Sequence, residues 1–159
     1  MGSIISINAK QFTLGVYDDT ITLFRTGDLN ETETTAIYTA LSDLLITRTM
    51  TNEINPEIKI NMVFVFEDEL NINFDLSSAA GIYTRFAILP VHKWREEGYG
   101  IPQMTLSIVE EAVHLLMNIT DEDYVMTKVL EVMHRSRPEH VTDFFPYNRA
   151  PSILPYYMK

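Results

Sequence analysis

Residues 106–118 read as apolar on nearly every face of a helix, yet Glu110, Glu111 and His114 stand in their middle. A helix that is apolar all round has to be buried. An ionisable group in a core is costly unless it is paired, metal-bound or open to a water-filled cleft. At roughly 3.6 residues per turn, His114 lies about 40° around the axis from Glu110, and Glu111 about 60° to its other side. The three side chains therefore share one flank, which must line a site or contain a satisfied polar network. Whatever fold the chain adopts has to cover this helix on its other sides.

The rest of the chain offers that cover. With 159 residues, 46% of them hydrophobic and 21% charged, it has the make-up of one globular domain able to bury most of its apolar surface. Phe12, Leu14 and Val16 alternate with small or polar residues, Asp18 and Asp19 suit a turn, and Ile21 and Leu23 follow, so an N-terminal hairpin is expected. Asn30 with Glu33 three residues on is a capping-box start. The stripe Ile37, Ala40, Leu41, Leu44 and Leu45 then carries an amphipathic helix to about Thr47. After Pro56, residues 58–66 make the clearest strand, apolar enough on both faces to be central.

A turn at residues 67–69 leads to a short strand around Ile72 and Phe74, and residues 82–88 mix β-branched and aromatic side chains as a further strand. Residues 89–103, with Trp94, form a connection long enough to carry function or cover a site. Thr120 followed by Asp121, Glu122 and Asp123 reads as an N-cap with first-turn acids, opening a helix to about Arg135. One domain is thus expected over residues 1–137. Residues 138–159 form a tail rich in proline and aromatic residues, expected to wrap the domain or to clasp a second subunit as a homo-oligomer.

The spacing Glu110-Glu111-x-x-His114 resembles the His-Glu-x-x-His helix of the zincin metallopeptidases, with Glu110 in place of the first histidine. In that pattern the outer residues bind the metal, and the second is the general base that activates water. The resemblance implies Glu110 and His114 as ligands and Glu111 as the base. Residues 118–133 resemble the second helix from which glutamate-type zincins supply a third ligand, which implies Glu122, with Asp121 or Asp123 as alternates. The implied fold is α+β: a twisted, mostly antiparallel sheet, one packing helix, the Glu110–His114 helix beneath the sheet and the following helix behind it. The implied activity is metal-assisted peptide hydrolysis, with a peptide or protein adding as a strand along residues 82–88. Zinc is the implied cofactor, and manganese or iron is admitted because two carboxylates and one imidazole form a harder donor set.

The same residues also have structural readings. His114 can be a core histidine hydrogen-bonded to Glu110 or Glu111, and Asp121, Glu122 and Asp123 can serve only to cap a helix. Two other function classes therefore stand beside the hydrolase. One is a zincin-fold binding or scaffold protein with no catalysis and no cofactor; the other is an unrelated α+β domain with a structural Glu–His pair.

Composition removes several alternatives. Twelve Lys and Arg against 22 Asp and Glu leave a net charge of −10, which repels phosphate backbones and anionic membranes, so neither nucleic acid nor membrane is an expected partner. Cysteine is absent, so any metal site must use His, Asp or Glu. There is no Gly-rich phosphate loop and no Gly-x-Ser-x-Gly nucleophile elbow. Without a signal-peptide pattern or an apolar run near the roughly 18 residues of a membrane span, the expected compartment is the cytoplasm.

Overall fold

The structure, a computed structural model, describes residues 5–15, 19–68, 70–75 and 84–136. The aromatic tail expected at residues 138–159, and Val16 and Asp18 of the expected hairpin, lie outside the described residues. Among the described residues, five strands and four helices follow in the order β1 (Ile5–Phe12), β2 (Ile21–Arg25), α1 (Glu31–Met50), β3 (Ile60–Val65), β4 (Leu70–Asp75), β5 (Arg85–Pro90), α2 (Val91–Glu96), α3 (Ile101–Leu116) and α4 (Glu122–Ser136).

The sheet order is β4-β1-β2-β3-β5. Only β1 and β2 pair antiparallel, with Phe12 opposite Leu23, whereas β1–β4, β2–β3 and β3–β5 are parallel. The fold is a mixed α/β arrangement, and the expectation of a mostly antiparallel sheet is corrected. The physical reason is α1: it carries the chain from the end of β2 back to the start of the adjacent β3, and such a crossover makes neighbouring strands parallel. The hairpin also differs in its first strand, which is residues 5–12 rather than the stretch beginning at Phe12.

All six residues of β3 are buried, as suits an interior strand covered on both faces. Ile60, Met62 and Phe64 face a large core shared with α1, α3 and α4, while Val63 and Val65 join Ala9 and Phe24 in a small cluster on the opposite face. That second face is closed by curling of the sheet. Phe74 on β4 and Phe86 on β5 have ring centroids 5.5 Å apart, and Phe74 meets Phe24 of β2 at 5.0 Å. In a flat sheet these two edge strands, four positions apart, would be separated by about 19 Å.

The connection at residues 89–103 is mostly ordered secondary structure. Strand β5 runs directly into α2, Gly98 turns the chain with φ of 67°, and α3 begins at Ile101, five residues before the apolar run. The Gln103 side chain accepts a hydrogen bond from the Gly100 N–H at 3.0 Å, which satisfies one donor at the start of α3. Trp94 of α2 is buried with its ring edge-on to Phe64, centroids 6.4 Å apart.

Helix α1 starts as its capping box requires: Asn30 Oδ1 accepts from the Glu33 N–H at 2.8 Å, and Glu33 Oε1 accepts from the Asn30 N–H at 2.9 Å. Glu33, only 2% exposed, also receives two hydrogen bonds of 2.8 Å from the Nε and Nη2 of Arg95 on α2. Arg95 further donates to the Asp28 carbonyl at 3.0 Å and lies over the Phe66 ring at 5.0 Å. Burial pushes the Glu33 carboxyl up, but the Arg95 hydrogen bonds, the Asn30 N–H and the Arg95 charge outweigh it and hold the group below its ordinary value of 4.5.

Arg95→Ala is expected to cost about 2 kcal/mol at pH 7, the usual loss for a hydrogen-bonded charge whose partner stays buried. A carboxyl depressed on folding contributes stability above its unfolded pKa and loses it as pH falls through the folded value. The gap between wild type and Arg95→Ala in urea unfolding should therefore narrow below about pH 4.5. An equal gap at pH 7 and pH 3 would show that Arg95 acts through packing alone.

Candidate metal centre

Helix α3 buries Met104, Thr105, Leu106, Ile108, Val109, Ala112, Val113 and Leu116 against the sheet and the other helices. Gln103, Ser107, Glu110, Glu111 and His114, spaced three and four apart, make a polar seam along the helix, with Glu110 itself buried. Part of this seam opens into a cleft of about 300 Å³ walled by Ile88 and Pro90 of β5, Trp94 of α2, and Ser107, Glu110 and Glu111 of α3. Of residues 89–103, expected to carry function or cover a site, Leu89, Pro90, Lys93, Trp94, Glu97 and Tyr99 line this cleft. Ser107 and Pro90 carried no sequence signal that marked them as cleft residues.

Beyond α3 the chain turns sharply. Asn118 adopts φ of 53°, and the Ile119 N–H then donates to the His114 carbonyl at 3.1 Å, as in a Schellman-type helix end. The side chain of His114 returns the contact, with Nδ1 2.7 Å from the Ile119 carbonyl oxygen. A carbonyl can only accept, so Nδ1 carries the proton, and in the neutral ring Nε2 presents its lone pair. Helix α4 follows at once, and its N-cap is Asp121 rather than Thr120: Asp121 Oδ1 accepts from the Tyr124 N–H at 2.8 Å, and its carbonyl accepts from the Val125 N–H at 2.9 Å. Asp121 is thus committed to capping. Asp123 is exposed in the first turn, outside the group that forms around His114.

Glu122, the first residue of α4, faces His114. Among the described residues, Glu110, His114 and Glu122 each offer one ligand atom, and these atoms lie within 4.8 Å of one another, so the group could hold a metal ion. The distance from His114 Nε2 to Glu122 Oε2 is 3.5 Å. That is long for a hydrogen bond between charged groups, which closes to about 2.8 Å. It is close to the roughly 3.4 Å that separates two ligands bound tetrahedrally about 2.1 Å from one ion. Glu110, at 9% exposure, anchors the set, while the Glu122 side chain, 73% exposed, is free to adjust its rotamer. Two carboxylates and a neutral imidazole suit a divalent ion of intermediate or hard character.

Glu111 sits beside this group, one residue along the seam. Partial burial pushes its carboxyl up; His114 opposes the shift, and the neighbouring charges of Glu110 and Glu122 add to it, so the net direction is upward. A carboxylate raised in this way is a stronger base than an ordinary one. His92, unassigned from sequence, is occupied elsewhere, with Nδ1 3.3 Å from the Val65 carbonyl and Nε2 3.0 Å from Asp68.

Comparison with protein-family models, with curated proteins and with solved structures gives no match to this chain. Among the described residues, no helix is long and apolar enough to cross a membrane.

Two outcomes follow from this geometry. His114→Ala removes the hydrogen bond to Ile119 but leaves Glu122 in water, so urea unfolding should show a loss of about 1–2 kcal/mol. A loss above about 3 kcal/mol would mark a buried structural pair instead. Glu111→Gln should be more stable than wild type at pH 7 and equal to it near pH 4. The sign follows because a carboxyl raised on folding contributes its stability below the unfolded pKa and loses it as pH rises through the folded value.

Proposed function

We propose that the chain is a zincin-like, metal-dependent hydrolase of peptide bonds, with Glu110, His114 and Glu122 as ligands and Glu111 as general base. The observation that carries this reading is the convergence of Glu110, His114 and Glu122 from two helices, next to a third carboxylate, Glu111, whose pKa is raised. A bound divalent ion would polarise the scissile carbonyl and acidify water at the site. Zinc fits the tetrahedral spacing, and manganese or iron fits the oxygen-rich donor set. Glu111, in the cleft wall, would take the proton from water and pass it to the leaving amine.

The substrate reading is supported by the placement of β5. Among the described residues it is the terminal strand of the sheet, and its residues Ile88 and Pro90 line the same cleft as Glu110 and Glu111. An extended peptide paired along β5 would therefore run past the ligand group.

A second reading is a zincin-like binding or scaffold module that holds no metal, in which His114 and Glu122 simply bridge α3 to α4. The exposure of Glu122 favours it, since a solvated carboxylate 3.5 Å from an imidazole needs no ion to be stable.

Elemental analysis of protein purified without chelator or affinity metal separates the two. The hydrolase reading expects a stoichiometric transition-metal ion, its loss in His114→Ala, and cleavage of an unstructured protein such as casein. Glu111→Gln should retain the ion while cleavage falls roughly 100- to 10,000-fold. No ion after purification, and none taken up on titration with zinc or manganese, would leave the scaffold.

A further inference from the structure

Resting on the metal reading, we infer that Asn118 is a positioning residue: its left-handed backbone turns the Ile119 carbonyl onto His114 Nδ1 and so fixes the tautomer that offers Nε2 to the ligand group. Three observations carry this. Asn118 has φ of 53°, a conformation that asparagine adopts several times more readily than most residues and that β-branched residues essentially avoid. His114 and Ile119 exchange two hydrogen bonds across that turn, Ile119 N–H to the His114 carbonyl at 3.1 Å and His114 Nδ1–H to the Ile119 carbonyl at 2.7 Å. The opposite ring nitrogen, Nε2, is the atom that faces Glu122.

In an imidazole free to choose, either nitrogen carries the proton, and a ligand nitrogen that is protonated has no lone pair to give. A carbonyl acceptor on Nδ1 removes that choice and holds the ring plane, the role that outer hydrogen-bond partners play at metal-binding histidines. Here the partner is the backbone of the next turn and not a side chain, so the arrangement depends on the conformation at residue 118. The start of α4 follows only a few residues later, so the same turn also sets where Glu122 emerges.

The test uses the full chain and two substitutions. Asn118→Val opposes the positive φ, whereas Asn118→Gly tolerates it and serves as the rescue. The readouts are the His114 ring tautomer from ¹⁵N NMR of the metal-free protein and the affinity for Zn²⁺ by titration. Expected are the Nδ1–H tautomer in wild type and in Asn118→Gly, its loss in Asn118→Val, and Zn²⁺ affinity lower by roughly 10- to 100-fold in Asn118→Val alone. An Nε2–H tautomer in the wild type would overturn the inference without any variant having to fold. Wild-type Zn²⁺ binding matched by Asn118→Val would overturn the positioning role while leaving the metal reading intact. Absence of Zn²⁺ binding by the wild type, with the Nδ1–H tautomer present, would overturn the metal reading and with it the purpose assigned to the turn.

Discussion

The carboxylate of Glu33 is the interaction on which the surroundings of the site depend. Through Asn30 it completes the start of α1, and through Arg95 it holds α2 against that start. Helix α2 carries Trp94 into the core beside Phe64 and into the cleft wall, while α1 packs along α3. A single buried acid thus sets the relative positions of three helices around the polar seam. Its burial is tolerable because every demand on it is met: two guanidinium hydrogen bonds, one backbone N–H, and a cation whose outer edge remains in water.

At the other end of α3 the chain solves a related problem with one backbone donor and one side-chain donor. The last carbonyls of a helix need donors, and here the Ile119 N–H reaches His114 while Arg85 of β5 donates to the Leu115 carbonyl at 3.1 Å. Arg85 thereby ties the edge strand to the end of the helix that bears the histidine. The cleft is bounded by elements fixed to one another at both ends, α2 by Glu33 and β5 by Arg85. Such fixing is what a ligand group needs if its donors are to keep their spacing without an ion.

How much of this could be read from the chain varied with the range of the interaction. Asn30 with Glu33, the stripe from Ile37 to Leu45 and the largely apolar run of β3 are local patterns, and each appears where its period or cap placed it. The approach of Glu122 to Glu110 and His114 was readable because a short turn joins the two helices, leaving few places for the first residue of α4. Sheet direction was not readable in the same way. Hairpin signals around Asp18 and Asp19 concern neighbours in sequence, whereas the parallel pairing of β1 with β4 joins Ile5 to Leu70 and is decided by crossover paths. The Glu33–Arg95 pair spans 62 residues and carries no motif. Asp121 displaced Thr120 as N-cap, a shift of one residue that a capping pattern with several consecutive polar residues cannot resolve.

The electrostatics of the seam bear on why four ionisable groups should be gathered there. Burial pushes the Glu111 carboxyl up, His114 opposes the shift and the neighbouring charges of Glu110 and Glu122 add to it, and the chain around them carries a net charge of −10. A chain selected only for stability would gain by replacing one of these acids with an amide, since like charges at close range oppose folding. The His114 imidazole opposes the rise at Glu111, with its Nδ1 held by Ile119 and its Nε2 3.5 Å from Glu122 Oε2. A divalent cation held by Glu110, His114 and Glu122 would offset the repulsion among these carboxylates directly. Binding energy released there would appear as stability of the fold, since the ligands come from two helices whose relative placement exists only in the folded chain.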